Sequence, residues 1–460
     1  WWVAKVLGDE DPVYDALEAG TLALPSDGYL DLYWQVVVPG QDGALIEMSS
    51  DVFWAVAQVT APEGQRLLAR GDTVASFHVN QVGRQPGDFY HSKRMRVPLG
   101  TVAGDNLLAV RALGRRPTVP EIELWSTDAE LVFNTADVTT PDLVVGSLAE
   151  QPLGVPVLVM VGEAPAAVRA EVLEDERFEA TQLTYPSLAP EAVTQLSFLL
   201  KPKAPFDTPD ETVAVRLRLS SPSLAWDYQT EVELVTVARE ARRRVTRLSG
   251  VDASTQYYAL MPPSASQPDL DYGLILSLHG ASVEASGQAG AYSPKDWAYL
   301  VAPTNRRPYG FDWEEWGRLD AIEALEHAQA SLPIDPLRVH LTGHSMGGHG
   351  SWHVGVHFAD RFGVIAPSAG WISFEKYGGP SHPTGPTGRA RQASQTLEFV
   401  DNLAQSSVYI LHGSADDNVP VSHAQQMYET LLPITPELVY HEEPGAGHWW
   451  DLDPEEEGAD

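Results

Sequence analysis

Leu341-Thr342-Gly343-His344-Ser345-Met346-Gly347-Gly348 carries the sharpest structural signal in this chain. It reads as a strand that runs into a sharp Gly-x-Ser-x-Gly turn and then into a helix. Such a turn holds the serine in a strained backbone conformation with its hydroxyl clear of the sheet, and the flanking glycines leave room for chain and substrate to approach. Five residues alone are a weak signal, so the surroundings decide. Arg338-Val339-His340-Leu341 is a short apolar strand before the turn, and Trp352 to Phe358 continues as a helix after it.

A serine hydroxyl is a poor nucleophile until a base takes its proton and a carboxylate orients that base. Both are available downstream. Val408-Tyr409-Ile410-Leu411 is an apolar strand ending in His412-Gly413-Ser414-Ala415-Asp416-Asp417-Asn418-Val419-Pro420, which places Asp416 in the following loop. Glu437-Leu438-Val439-Tyr440 is the next strand, followed by Gly445-Ala446-Gly447-His448-Trp449-Trp450, where glycines let a loop carry His448 over the sheet edge. An acyl-transfer site also needs N–H groups aimed at the developing oxyanion. Gly273 to Leu278 is a buried-type strand opening into His279-Gly280-Ala281, placed to supply one N–H, and Met346, directly after the serine, would supply the other.

With these motifs quoted, residues from about 250 to 451 resemble the catalytic domain of the prolyl oligopeptidase-type and related esterase branch of the α/β-hydrolases. The matching stretches are Gly343 to Gly350, Asp360-Arg361-Phe362 with Ala366 to Trp371, His412 to Pro420, and Gly445 to Trp450. The resemblance implies Ser345 as nucleophile, Asp416 as the orienting acid and His448 as general base, with Gly280, Ala281 and Met346 forming the oxyanion hole. Asp417 adjoins the acid position, and the residues alone leave it open as the partner; the first of the pair is the one that matches the family.

Lys and Arg total 30 against 63 Asp and Glu, a formal net charge of −33, so nucleic acid and anionic membranes would be repelled. No cysteine is present, which removes disulfides, thiolate metal sites and a cysteine nucleophile together. No run of about 18 apolar residues appears, so no membrane partner is expected. Neither metal nor other cofactor is implied. Oligomeric state is not legible.

Before residue 240 the texture changes to short alternating runs, such as Val52 to Val59, Ala75-Phe77-Val79 on one face, and Leu107 to Leu113, separated by Gly, Pro and Asp. The expected architecture is α/β plus all-β: residues 1–140 a jelly-roll β-sandwich, 141–240 an immunoglobulin-like sandwich, and 241–460 the α/β-hydrolase domain. Phe77 to Gly83 with Gly104 to Val110 loosely resembles galactose-binding-like sandwiches found beside carbohydrate-active enzymes. Asp453 to Asp460 is too acidic and short to be the helix that normally covers the last strand, and Trp1-Trp2-Val3 carries neither an initiator methionine nor a signal sequence. The chain therefore reads as part of a longer protein. Secretion or periplasmic export is the expected localisation.

His349, His353 and His357 lie four apart on one helix but lack the glutamate of a His-Glu-x-x-His site, so they read as packing residues. Phe311, Trp313 and Trp316 follow the strand at Tyr299 to Ala302 and are either core filler or pocket wall; Trp371 and Trp449 follow catalytic-side motifs and are candidates for the substrate pocket. The resulting reading is a serine hydrolase acting through an acyl-enzyme, on a small-molecule or carbohydrate ester. A peptidase of the prolyl oligopeptidase type would need a propeller of roughly 300 periodic residues, and about 240 without repeat precede the hydrolase here. A peptidase and a non-catalytic carbohydrate-binding protein are the two alternatives.

Overall fold

The computed structural model describes residues 1–6, 11–37, 52–84, 94–113, 121–265, 267, 270–306, 310–378 and 385–450. These fall into two compact units: residues 1–139 with 153–203 and 214–233, and residues 140–152 with 204–213 and 234–460.

The second unit is built on eight strands: β1 (Arg243–Leu248), β2 (Thr255–Met261), β3 (Tyr272–Leu278), β4 (Ala298–Pro303), β5 (Ile334–His344), β6 (Val364–Ser368), β7 (Ser407–Gly413) and β8 (Glu437–Glu443). They lie in the order β1-β2-β4-β3-β5-β6-β7-β8. The pairs β1–β2 and β2–β4 are antiparallel, and every pair from β4 to β8 is parallel. Parallel neighbours need crossovers, which α2 (Glu315–Ser331), α3 (Met346–His357) and α4 (Ser422–Leu431) help to supply; the short α1 (Ala285–Gly290) follows β3.

Burial on both faces explains the composition of the central strands. Leu274, Leu276 and Leu278 of β3 are fully buried on one face, with Ile275 packed into a second cluster on the other. In α2 the buried Ala321, Ala324, Leu325 and Ala328 recur at helical spacing and face this core together with Val339 and Leu341 of β5. Each large apolar side chain so buried contributes about 1.5–3 kcal/mol. The parallel strands also share a direction, so the loops after β3, β5, β6, β7 and β8 all emerge at one edge of the sheet. Gly280, Ser345, Ala369, Asp416 and His448 stand on those loops.

A buried charge cluster fastens the antiparallel end of the sheet. Asp320 of α2 is wholly buried and accepts from the Arg247 guanidinium of β1 at 2.5 Å and from the Arg306 N–H at 3.1 Å. Arg247 reaches Glu323 as well, again at 2.5 Å. Burial pushes the Asp320 carboxyl above its ordinary value, against the pull of Arg247 and Arg306.

In the first unit, strands Trp2–Lys5, Val52–Ala61, Gly104–Leu113 and Val74–Val79 are the middle of a six-stranded antiparallel sheet. A three-stranded sheet of Val97–Pro98, Arg66–Asp72 and Glu121–Thr127 shares its apolar core, with Phe53, Ala69, Phe77, Val97 and Val110 buried between them. The outer face of the larger sheet is covered by helix Pro12–Glu18, through Val13, Ala16, Leu17 and Trp54. Asp11 caps that helix at the Tyr14 N–H and also accepts from the Trp54 indole at 2.9 Å. Ala75, Phe77 and Val79 do not share one face, because a register shift between Val74 and Ser76 turns Ala75 aside while Phe77 and Val79 stay buried. Further antiparallel pairs join Leu131–Phe133 to 157–159 and Arg169–Val172 to 217–220.

Removing Asp320 would take from Arg247 its fully buried partner and leave the guanidinium only the partly exposed Glu323 carboxylate. We expect Asp320→Ala to cost about 1–3 kcal/mol, the cost of leaving buried donors unsatisfied while Glu323 still holds the charge, read as a lowered urea midpoint. A shift under about 1 kcal/mol would show that the cluster does not hold β1 to α2.

Candidate active site

Ser345 stands between β5 and α3 with φ 59° and ψ −118°, a conformation that residues with a side chain rarely adopt. Its neighbours permit it. A methyl group on Gly347 would lie 1.9 Å from the Leu278 carbonyl oxygen, and one on Gly343 would lie 2.4 Å from the Gly347 oxygen. One on Gly348 would meet the Ser368 oxygen at 2.2 Å. The turn therefore nests against the ends of β3 and β6 with no space for a side chain at three positions. The Ser345 N–H donates to the Ser368 carbonyl at 3.0 Å, and its carbonyl accepts from the His349 N–H at 3.0 Å as the first turn of α3.

The structure brings Ser345, His448 and Asp416 together. The Ser345 hydroxyl donates to His448 Nε2 over 2.9 Å, and His448 Nδ1 donates to the two Asp416 oxygens at 2.8 and 3.0 Å. All three side chains are buried. Burial pushes the Asp416 carboxyl up, but hydrogen bonds from His448 and from the Val419 and Asn418 N–H groups outweigh it and hold the carboxyl below its ordinary value. The acid is therefore ionised at neutral pH, the state that fixes the His448 tautomer with Nε2 free to accept. Asp417 is exposed on the same loop.

Two further imidazoles flank this set. His412, at the end of β7, places Nε2 3.2 Å from an Asp416 oxygen and 2.9 Å from the Val419 carbonyl, so it braces the acid loop. Its position four residues before Asp416 was visible, but nothing in that spacing told a brace from core packing. His344 lies tilted against His448, 5.0 Å between ring centres, and burial, then His448 itself, lowers its pKa to about 4. It is neutral at pH 7 and adds no competing positive charge.

Gly280 lies against the serine: a methyl there would come 3.4 Å from the His344 oxygen and 3.7 Å from Ser345 Cβ. The Met346 N–H opens α3, among the amides that a helix leaves unpaired in its first turn. Ala281 follows Gly280 on the loop after β3, which emerges at the same edge of the sheet as the serine turn.

The tryptophans separate. Trp313 is fully buried and does not line a pocket. Its indole donates to the His279 carbonyl at 3.1 Å, and its ring fills the space opposite Gly350, where a methyl would clash at 2.5 Å. It ties down the loop after β3 at His279. Trp371 is also buried, stacked between Tyr377 at 4.4 Å and His349 at 5.0 Å. Trp316 is exposed on α2 under the Arg306 guanidinium, 5.1 Å from the ring. Trp449 remains exposed beside His448, 5.1 Å between ring centres. Of the histidine row on α3, His349 donates to the Trp371 carbonyl and faces Glu314 at 3.4 Å, and His357 donates to the His353 carbonyl.

Asp312 sits on the same edge, its N–H donating to the Met346 sulfur at 3.2 Å. Burial and then the neighbouring Glu314 charge raise its pKa to about 6, although the Glu314 N–H bonded to it pulls the other way.

Residues 306–456 match the family described as Peptidase_S9, the prolyl oligopeptidase family. An uncharacterized secreted protein of Arthroderma benhamiae is 26% identical over 86% of this chain and 46% of its own length. The uncharacterized peptidase YuxL of Bacillus subtilis is 24% identical over 59% of this chain and 44% of its own. The chain thus spans about half the length of the curated relatives it matches. A thermostable esterase of known structure aligns with 67% of this chain and 91% of its own at 16% identity and a TM-score of 0.36. Residues 306–456 are thus similar to the prolyl oligopeptidase family, and they lie in the unit that carries the eight-stranded, mainly parallel sheet.

Two outcomes check this geometry. Gly347→Ala should abolish activity and lower the melting temperature, since its methyl has no space, whereas Gly447→Ala, with nothing within 4 Å, should retain both. The unfolded chain loses the Asp312 proton near 3.8 and the folded protein near 6, so ionising this carboxyl opposes folding. The cost is absent below about pH 4 and complete above about pH 6. Asp312→Asn should therefore raise the unfolding midpoint more at pH 8 than at pH 4, and an equal shift at both would contradict the burial argument.

Proposed function

We propose that this serine hydrolase of the prolyl oligopeptidase branch cleaves carboxylic esters through an acyl-enzyme. The observation that carries the reading is the chain of two hydrogen bonds from Ser345 through His448 to Asp416. His448 Nε2 takes the serine proton as Oγ attacks the carbonyl carbon. Asp416 stabilises the imidazolium that forms, and the oxyanion is held by the Ala281 and Met346 N–H groups, with Gly280 giving close approach. His448 then protonates the leaving alcohol; water, activated by the same imidazole, releases the acid and restores Ser345. No cofactor takes part in this scheme.

The ester rather than the peptide bond is supported by two arguments. An alkoxide leaves without the well-placed proton that an amine demands. The part of the chain before β1, expected to comprise two β-sandwich domains over 1–140 and 141–240, forms mainly antiparallel sheets among the described residues, and its sequence carries no repeat of the kind that a peptide-sorting blade array needs. We place a carbohydrate ester first among substrates, with no nucleic-acid or membrane partner, for a chain carrying 63 acidic against 30 basic residues. Export from the cytoplasm fits this role.

Ser345→Ala should fold normally and lose about 10⁴ to 10⁶-fold in turnover. Asp416→Asn should lose on the order of 10⁴, and Asp417→Asn less than about tenfold. Reversed losses would move the acid by one residue. Comparing kcat/KM for p-nitrophenyl acetate and a proline-containing aminoacyl amide tests the bond cleaved: amide cleavage within about tenfold of the ester would overturn the esterase reading.

A further inference from the structure

The indole of Trp449 is 68% exposed, yet one edge of it borders His448, His344 and the Gly280 loop. It stands edge-on to His448 at 5.1 Å and 80°. It leans over His344 at 4.6 Å. A methyl on Gly280 would touch its far edge at 4.0 Å and Ser345 Cβ at 3.7 Å, so the ring reaches across from the histidine to the oxyanion loop. The loop that carries it is pinned, with the Gly445 N–H donating to the Ser414 hydroxyl at 2.7 Å and the Ala446 carbonyl accepting from Ala415 at 2.9 Å. The support beneath the ring is an uncharged imidazole, because burial keeps His344 neutral at pH 7. An indole held rigidly with most of its surface in water presents a large flat apolar face at the mouth of the site, in the way that ring-binding sites are made.

The chemistry says which half of the substrate meets that face. His448 Nε2 hands its proton to the leaving oxygen, so the alcohol lies against His448 when the ester C–O bond breaks. The acyl group, bonded to Ser345, points away from that imidazole. We propose that Trp449 is the leaving-group platform of the enzyme and that it stacks the apolar face of a pyranose ring, which makes the preferred substrate an ester of a sugar hydroxyl. This rests on the esterase reading above.

The test compares wild type, Trp449→Ala and Trp449→Phe on three acetates sharing one acyl group: a mono-acetylated methyl glucopyranoside, phenyl acetate and ethyl acetate. The ratio of kcat/KM for the sugar acetate to that for ethyl acetate should fall about tenfold or more in Trp449→Ala, and Trp449→Phe, which keeps a smaller flat ring, should recover part of it. The ratio for ethyl butyrate to ethyl acetate should stay constant, since the acyl side is untouched. A common loss on all three acetates would make Trp449 a support for His448 and overturn the proposal. So would an unchanged ratio, or a selective loss on phenyl acetate alone. The esterase reading fails differently: wild type would then cleave a proline-containing aminoacyl amide within about tenfold of phenyl acetate, whatever residue stands at 449.

Discussion

The Leu278 carbonyl oxygen sets the constraint on which the site depends. It stands 1.9 Å from where a Gly347 side chain would begin and 2.7 Å from one on Gly343. Strand β5 can therefore approach β3 closely and turn at once into α3 only with glycine on both sides of the serine. The left-handed conformation of Ser345 follows from that crowding, and so does the aim of its hydroxyl. The buried β3–β5 and β5–β6 pairings hold the turn in place, with the Ser345 N–H tied to the Ser368 carbonyl, so the strain is stored against a packed core rather than relaxed.

Electrostatic order is built outward from the acid. Asp416 receives N–H groups from Asn418 and Val419 and a hydrogen bond from His448, which together overcome the burial that would otherwise favour its protonated form. His412 touches the same carboxylate and the Val419 carbonyl, locking the loop from below. Four imidazoles thus occur around one site, and burial with hydrogen bonding sets each in a different role. His448 stands between acid and serine, His412 braces the acid, His344 is a neutral support, and His279 holds its ring nitrogens at the Gly280 and Thr304 carbonyls.

Much of this was legible in the residues. The strands β3, β5 and β7 and the glycine-containing turns that follow them fall where the sequence places them: β3 reads as a near-continuous apolar run because both its faces are covered, while β5 and β7 keep buried Val339, Leu341, Val408 and Ile410 at alternate positions. Ser345, Asp416 and His448 were placed on loops by the same reasoning, and the structure sets them in hydrogen-bonding contact. The tryptophans were not separable. Trp313 and Trp316 lie three residues apart after one strand, yet one supports His279 in the core while the other lies in solvent, a difference set by the docking of α2 and α3 rather than by local pattern. Ala75 failed for a related reason: a single inserted residue reverses the facing of a strand, and no composition signal marks it. The partnership of His412 with Asp416 depends on a turn geometry that spacing alone does not encode.

The account stands on Ser345 as the residue that becomes acylated. A fluorophosphonate probe reacts with a serine only when a base activates it and an oxyanion hole accepts the phosphoryl oxygen, so it reads the whole arrangement at once. Peptide mapping by mass spectrometry after stoichiometric labelling should find one modification, on the peptide carrying Gly343-His344-Ser345-Met346-Gly347 and at Ser345. Labelling of a different serine, or none in a folded protein, would contradict it.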